Sequence, residues 1–230
     1  MDRLTDVEEY LDGPLQDRAA LQANLRDLAR INRLTGGAGL SVRAVRDLLP
    51  NGGTVVDVGT GGVDIPVRLL ADARRRNVPL EVTATDSRQE VLDAAQVVRP
   101  SLATIAGLHL TLADGRRLTY PDDAFDVAHA SMVVHHLDET DAVAFIAELG
   151  RVARRGVVIN DLARGRLRWL GGWILTHTIA SSPYTRHDGT LSVRRAYTAA
   201  EIRRLVSEAG LRPTRQFDGV AGHRYAIVAR

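Results

Sequence analysis

The sequence predicts an α/β fold in which helices cover both faces of a doubly wound, mostly parallel sheet. Three observations carry this prediction. Short β-branched runs alternate with amphipathic helical segments, a glycine-rich turn follows the first of these runs, and the 230 residues have an ordinary globular composition, 45% hydrophobic and 25% charged. Alternation of this kind is typical of parallel strands joined by helical crossovers.

Two helices are predicted ahead of the sheet. Leu21, Leu25 and Leu28 recur at helical spacing, and a second apolar stripe over residues 40–49 stops at Pro50. Seven strands then follow, at residues 54–58, 80–85, 107–112, 124–130, 156–160, 212–218 and 223–229.

Helical segments separate most of these strands, at residues 64–76, 88–98, 138–151 and 198–209. Residues 165–181 have an unusually apolar helical pattern, and residues 182–197 are predicted to form a loop. The last two strands are joined by Asp218-Gly219, which predicts an antiparallel hairpin at one edge of the sheet. The absence of repeats and low-complexity linkers in the sequence favours a single domain over residues 1–230.

The composition excludes several kinds of chemistry. The chain has no cysteine, and all 30 of its basic residues are arginine. Lysine Schiff bases, P-loop lysines, cysteine nucleophiles and thiolate metal sites are therefore excluded, and no metal site is predicted. The net charge of +2, the 4% aromatic content and the scattering of arginines among acids argue against nucleic-acid binding.

Two features of the sequence predict a cytoplasmic protein without a membrane span. The first ten residues are acidic and lack the apolar core of a signal peptide. The most apolar stretch, residues 169–180, is too short to cross a bilayer and contains His177.

Carboxylates stand at the ends of three successive predicted strands: Asp57, Asp86 and Asp114. In parallel sheets, ligands bind beyond these carboxyl ends. Asp57 is followed by a glycine-rich turn, which lets the backbone approach a ligand closely. Asp64 occupies the position where a dinucleotide fingerprint needs its last glycine, and a carboxylate there opposes a pyrophosphate. A ligand with a positive amino or sulfonium group suits Asp57 better, although each aspartate alone could also be a turn or cap residue.

Taken together, these motifs resemble those of the class I S-adenosylmethionine-dependent methyltransferases, over about residues 50–230. Residues 24–33 and 185–197 are similar to segments of small-molecule methyltransferases found beside type III polyketide synthases, distant relatives of the quinone C-methyltransferases. The resemblance implies a Rossmann-like fold and S-adenosylmethionine as cofactor. It also implies a set of cofactor-binding residues: Asp57, Gly59, Thr60, Gly61, Asp86, Ser87, Asp114, Gly115 and Ser131.

Methyl transfer needs an aligned acceptor, exclusion of water and removal of the acceptor's proton. Histidine is a suitable base at neutral pH, and we take His135, in the segment after the fourth strand, and His187 as catalytic candidates. The alternatives are purely structural roles: His135 could pack against and cap the next helix, and His187 could lie in a surface turn. Substrate-binding candidates are Trp173, His177, Arg186, Arg194 and Tyr197.

The predicted organisation has four sections: an N-terminal helical cap (1–50), a cofactor-binding half (51–160), a substrate lid (161–197) and the final helix and strands (198–230). The apolar segment 165–181 could instead complete the core or form a homodimer interface. We expect methyl transfer to oxygen or carbon of an apolar aromatic or polyketide-like small molecule. The alternatives are a nicotinamide-dependent oxidoreductase, a non-catalytic cofactor-binding module, and a methyltransferase acting on RNA or protein.

Overall fold

The computed structural model describes residues 1–5, 7–14 and 17–230. Over these residues one sheet holds seven strands in the order β3-β2-β1-β4-β5-β7-β6. The strands are β1 (Gly53–Val58), β2 (Leu80–Asp86), β3 (Leu108–Leu112), β4 (Phe125–Ser131), β5 (Ala153–Leu162), β6 (Pro213–Asp218) and β7 (Arg224–Ala229). The first five run parallel, and β7 pairs antiparallel with both β5 and β6. The predicted fold class and its antiparallel edge hairpin are confirmed.

Eight α-helices surround this sheet in the described part of the chain. They are α1 (Arg18–Leu34), α2 (Gly37–Leu48), α3 (Asp64–Arg75), α4 (Gln89–Val98), α5 (Glu139–Val152), α6 (Arg166–Ile179), α7 (Pro183–Arg195) and α8 (Ala199–Glu208). None of the described helices is long and apolar enough to cross a membrane.

The two faces of the sheet explain why β1 and β4 read as continuous apolar runs. On one face Val56 and Ala128 pack with α5 and α8, and on the other Val55 and Val127 pack with α2 and α3. Strands buried on both sides need no polar alternation. Because β2, β1 and β4 are adjacent, the side chains at their carboxyl ends meet in one place.

The prediction of a loop over residues 182–197 is wrong, because α7 occupies most of that range. The Ser182 side chain caps the helix by accepting from the Tyr184 backbone N–H, and Pro183 stands in its first turn. Gly189 lies where α7 packs against α6. A Cβ there would lie 2.5 Å from Thr176 Cγ2.

The chain before α1 lies across the carboxyl ends of the strands, and we call residues 1–5 and 7–14 the strap. The Leu4 N–H donates to the Arg194 carbonyl, and the Tyr10 and Leu11 N–H groups donate to the Asp188 carboxylate. The guanidinium of Arg88 donates to the carbonyls of Leu11 and Gly13. These contacts tie the strap to α7 and to the start of α4.

Candidate active site

A cavity of about 710 Å³ opens at the carboxyl ends of β1, β2 and β4. We call it the cofactor cavity. Seven of the nine cofactor-binding residues implied by the resemblance line it: Asp57, Gly59, Thr60, Gly61, Asp86, Ser87 and Ser131. The strap closes part of its rim with Thr5, Val7 and Leu11.

The turn after β1 is shaped for close approach to a ligand. Gly59 has φ +73°, and a Cβ at this position would lie 2.5 Å from Val133 Cγ2, so only glycine fits without a shift of its neighbour. The Thr60 N–H donates to the Thr85 carbonyl over 2.8 Å, which ties the turn to β2. The Thr60 hydroxyl is buried and has no hydrogen-bond partner among the described residues, so it is available to a bound molecule.

Three of the carboxylates that line the cofactor cavity, those of Asp57, Asp64 and Asp86, are anchored by neighbouring side chains or by the backbone. Asp57 Oδ1 lies 2.5 Å from His129 Nδ1, and the second ring nitrogen of that histidine lies 2.8 Å from the Ser41 hydroxyl. Asp64 accepts from the Asn32 amide over 3.1 Å. Asp86 accepts from the Gly61 N–H over 3.1 Å.

Burial raises the pKa of Asp64 and of Asp86, while hydrogen bonds from Asn32 and from the Gly61 N–H oppose this rise. Both carboxyl groups therefore have little solvent around them, and burial opposes their ionisation. A ligand that brings a positive charge or hydroxyl donors relieves this desolvation.

A second cavity, of about 580 Å³, lies beside the first and is lined mainly by apolar side chains. We call it the acceptor cavity. Its apolar walls come from α1, α6, α7 and the turn before β7: Leu28, Ile31, Leu34, Leu167, Leu175, Val193 and Val220. The two cavities share wall residues Leu11, Leu28, Met132 and His136, so they adjoin along the strap, α1 and the segment after β4.

Met132 turns the backbone of the segment that follows β4. It has φ +59°, a left-handed conformation that costs about 1–2 kcal/mol for a residue other than glycine. Its N–H donates to the Asn160 carbonyl over 2.9 Å, which holds the turn. The backbone then passes between the two cavities and brings His135 and His136 to the acceptor side.

His135 is fully buried and lines the acceptor cavity. Its Nδ1 lies 2.6 Å from Asp161 Oδ1, and its backbone N–H donates to the other carboxylate oxygen over 3.2 Å. Burial opposes the ionisation of Asp161, but the adjacent His135 imidazole holds the pKa of that carboxyl below its ordinary value. The carboxylate keeps the proton of a neutral imidazole on Nδ1, so Nε2 presents a lone pair.

Glu9 of the strap reaches the same place. It is 3% exposed, and its Oε2 accepts from the Ser192 hydroxyl over 2.8 Å. Burial raises the pKa of Glu9 to about 7. Neither Glu9 Oε1 nor His135 Nε2 has a hydrogen-bond partner within the described ranges.

Two of the implied cofactor-binding residues lie elsewhere. Asp114 is half-exposed, pairs with Arg116 at 3.4 Å and is not among the cavity-lining residues. Gly115 is also outside the wall, where a Cβ would meet Val58 and Phe145. Asp114 therefore acts here as a turn residue that accepts from the Arg116 N–H.

The structure does not bring His187 or the five substrate-binding candidates to either cavity wall. His187 stacks on Tyr10 on the outer side of α7. Trp173 and His177 stack on each other on the exposed face of α6, and Arg194 is exposed. Arg186 donates to the Ala180 carbonyl, and the buried Tyr197 hydroxyl donates to the Leu137 carbonyl.

Sequence reasoning missed the opposite face of α6. That face lines the acceptor cavity through Gly171, Gly172, Leu175 and Thr176. The two glycines leave space in the cavity, whereas the predicted substrate-binding residue Trp173 lies on the exposed face. The helical spacing of Arg168, Gly172 and Leu175 is the sequence feature that indicates this inner face.

Comparison with known proteins identifies the domain. Residues 56–159, which run from β1 into β5, match the family model for a methyltransferase domain. The chain contains a class I S-adenosylmethionine-dependent methyltransferase domain. The predicted family resemblance and cofactor are thereby confirmed, and the Thr60 hydroxyl and the carboxylates of the cofactor cavity fit that cofactor.

Relatives of this methyltransferase domain agree with the assignment. The ubiquinone/menaquinone biosynthesis C-methyltransferase of Rickettsia massiliae is 33% identical over 72 residues, 31% of this chain and 29% of that protein. The match thus spans less than a third of the length of this curated relative.

Solved structures share the fold of the methyltransferase domain. An S-adenosylmethionine-dependent methyltransferase from Aquifex aeolicus has a TM-score of 0.63 at 19% identity, covering 90% of this chain and 97% of that chain. An O-methyltransferase family 2 protein from Planctomyces limnophilus, in complex with apigenin, has a TM-score of 0.64 at 20% identity, covering 92% and 61% of the two chains.

Proposed function

We propose that this protein transfers a methyl group from S-adenosylmethionine to an acidic hydroxyl or enol of an apolar, aromatic or polyketide-like small molecule. The observation that carries the proposal is the pair of adjoining cavities. One is lined by Asp57, Asp64 and Asp86, and the other is apolar with His135 in its wall.

The cofactor cavity offers partners for three polar parts of S-adenosylmethionine: the amino group, the sulfonium and the ribose. Asp57 and Asp64 supply negative charge for an amino group and a sulfonium. Asp86, at the end of β2, can accept hydrogen bonds from ribose hydroxyls. Bound there, S-adenosylmethionine supplies an electrophilic methyl group on sulfur.

The acceptor cavity has a polar end and an apolar end. Glu9, His135 and Ser192 lie close together in the wall, and we call this group the polar end. Leu34, Leu167 and Val220 are apolar residues of the remaining wall, which also includes Arg168 and His223. This division suits an amphipathic acceptor whose reacting hydroxyl lies near His135 and whose hydrocarbon body fills the rest. The apolar surroundings also exclude water from the reaction.

His135 supplies the proton transfer. Asp161 holds its Nδ1 proton, so Nε2 can take the proton of the acceptor hydroxyl or enol. The acceptor's electron pair then forms the new bond to the methyl carbon as the carbon–sulfur bond breaks, and the sulfur keeps that pair as a thioether. Charge balances because the positive charge moves from sulfur to the imidazolium, which Asp161 stabilises.

Calorimetry with Asp86→Ala tests the cofactor site. We expect the wild-type chain to bind S-adenosylmethionine and S-adenosylhomocysteine, and Asp86→Ala to weaken binding by about 1–3 kcal/mol through lost charge-assisted hydrogen bonds. Asp114→Ala is the matched control, with unchanged affinity, because Asp114 is not among the residues lining the cavity. Binding of a nicotinamide cofactor alone would overturn the proposal in favour of an oxidoreductase.

Leu175→Trp tests the acceptor cavity. The larger side chain should fill space on the inner face of α6 and raise the acceptor KM by on the order of tenfold, with S-adenosylmethionine affinity retained. Trp173→Ala changes the exposed face and should leave the acceptor KM unaltered. The measurement is steady-state kinetics with a panel of apolar phenols and polyketide-like enols. Turnover of RNA or protein in place of these molecules would contradict a small acceptor.

A further inference from the structure

Three potential ligand atoms converge where the strap meets the segment after β4. Glu9 Oε1 lies 3.9 Å from His135 Nε2 and 3.9 Å from His136 Nδ1, and all three atoms lie within 4.8 Å of one another. Glu9 and His135 are fully or nearly fully buried, and His136 is partly buried. The three residues therefore surround one small volume from two sides.

Hydrogen bonding does not account for this convergence. A separation of 3.9 Å is too long for a hydrogen bond between Glu9 and either imidazole. Glu9 Oε1 and His135 Nε2 are buried without a partner in the described part of the chain. A buried polar atom without a hydrogen-bond partner is unfavourable, so two of them facing each other require an explanation.

A metal ion supplies the missing partner. Nitrogen and oxygen ligands about 2.0–2.2 Å from a zinc ion stand roughly 3–4 Å from each other. The two separations of 3.9 Å from Glu9 Oε1 lie at the upper end of this range. Asp161 also fixes which nitrogen can bind the ion. Because the Nδ1 proton is held by the Asp161 carboxylate, the lone pair of His135 Nε2 is free to bind a metal. A carboxylate on the far nitrogen is the usual companion of a metal-binding histidine.

The surrounding charge favours a cation. The carboxylates of Glu9, Asp12 and Asp161 face the two imidazoles, and Asp12 Oδ1 lies 2.8 Å from His136 Nδ1. Two arginines lie near these carboxylates: Arg195, whose Nη1 lies 2.5 Å from Asp12 Oδ2 and 3.6 Å from Glu9 Oε1, and the buried Arg224, whose charge acts on Asp161. The oxygens nearest the free imidazole nitrogens are nevertheless those of Glu9 and Asp12, and a cation bound among them would be stabilised by their negative charge.

We propose that Glu9, His135 and His136 bind a divalent transition-metal ion, with Asp12 beside it as a further carboxylate. Two imidazole nitrogens and one carboxylate oxygen favour Zn²⁺ or Co²⁺ over Ca²⁺. The ion joins the strap to the segment after β4. It also takes the lone pair of His135 Nε2, so the metal-bound form transfers methyl groups more slowly; this consequence rests on the proposed function.

Co²⁺ and Zn²⁺ titrations of the metal-stripped, tag-free chain test the site. We expect one equivalent of Co²⁺ to give visible d–d absorption, and Zn²⁺ to displace it. Glu9→Gln and His136→Asn should each weaken Co²⁺ binding by on the order of 100-fold, and Asp161→Asn by about 10–100-fold. His177→Asn, which removes an exposed histidine outside the cluster, is the matched control and should bind Co²⁺ normally.

Three results would overturn the proposal: no stoichiometric binding, binding that survives in both Glu9→Gln and His136→Asn, or binding lost in His177→Asn. Near-UV circular dichroism shows whether each variant is folded, and the two ligand variants act independently. Calorimetry with S-adenosylhomocysteine on the stripped protein separates the two hypotheses. Normal cofactor binding without a metal site defeats only the metal proposal, whereas metal binding without cofactor binding defeats only the proposed function.

Discussion

Replacing His135 with asparagine is expected to lower the turnover number for a hydroxyl acceptor by about 10²–10⁴-fold, the usual contribution of a positioned base. His135 Nε2 is the buried lone pair that Asp161 leaves free at the polar end of the acceptor cavity. The affinity for S-adenosylmethionine should be retained, because His135 is not among the residues lining the cofactor cavity.

Single-turnover kinetics on metal-stripped protein measure this effect without interference from an ion on Nε2. The matched control is His187→Asn, which removes the other catalytic candidate predicted from the sequence. His187 stacks on Tyr10 and lies in neither cavity wall. The turnover number of the His187→Asn variant should therefore match that of the wild type. A large loss in His187→Asn with a small loss in His135→Asn would reverse the assignment.

The cofactor half of this site could be predicted because local sequence determines it. A buried strand that ends in Asp57, a turn that requires Gly59 and a second strand that ends in Asp86 are each visible within a few residues. The parallel topology then brings the strand ends together. The same reasoning gives a wrong prediction for Asp114, because its side chain points toward Arg116 and solvent and not into the cavity.

The acceptor half could not be predicted in the same way, because long-range contacts build it. Glu9 belongs to a strap without helical or strand periodicity, and its position depends on Ser192, 183 residues away. Trp173 shows a second limit. The apolar residues of α6 indicate that part of the helix is buried, but they do not show which face points toward the protein interior. The inward face carries glycine because the acceptor cavity needs room there.

Asp161→Asn is expected to cause a loss comparable to that of His135→Asn, although the substituted side chain is almost the same size. The carboxylate accepts from His135 Nδ1 and from the Leu162 N–H through Oδ1. An amide nitrogen facing Nδ1 would instead donate to it, which moves the imidazole proton to Nε2. The acceptor would then meet an N–H group where it needs a lone pair.

A double-variant cycle provides the decisive measurement. If Asp161 acts through His135, the His135→Asn/Asp161→Asn protein should be no slower than His135→Asn alone, because residues that act as a unit give non-additive losses. If the double variant instead lost turnover by the product of the two single-variant factors, Asp161 would contribute independently of His135. An acceptor that is already ionised at the assay pH needs no base, so both single variants should recover most of their turnover with it. A loss that persists with such an acceptor would assign the pair to positioning of the segment after β4 and not to proton transfer.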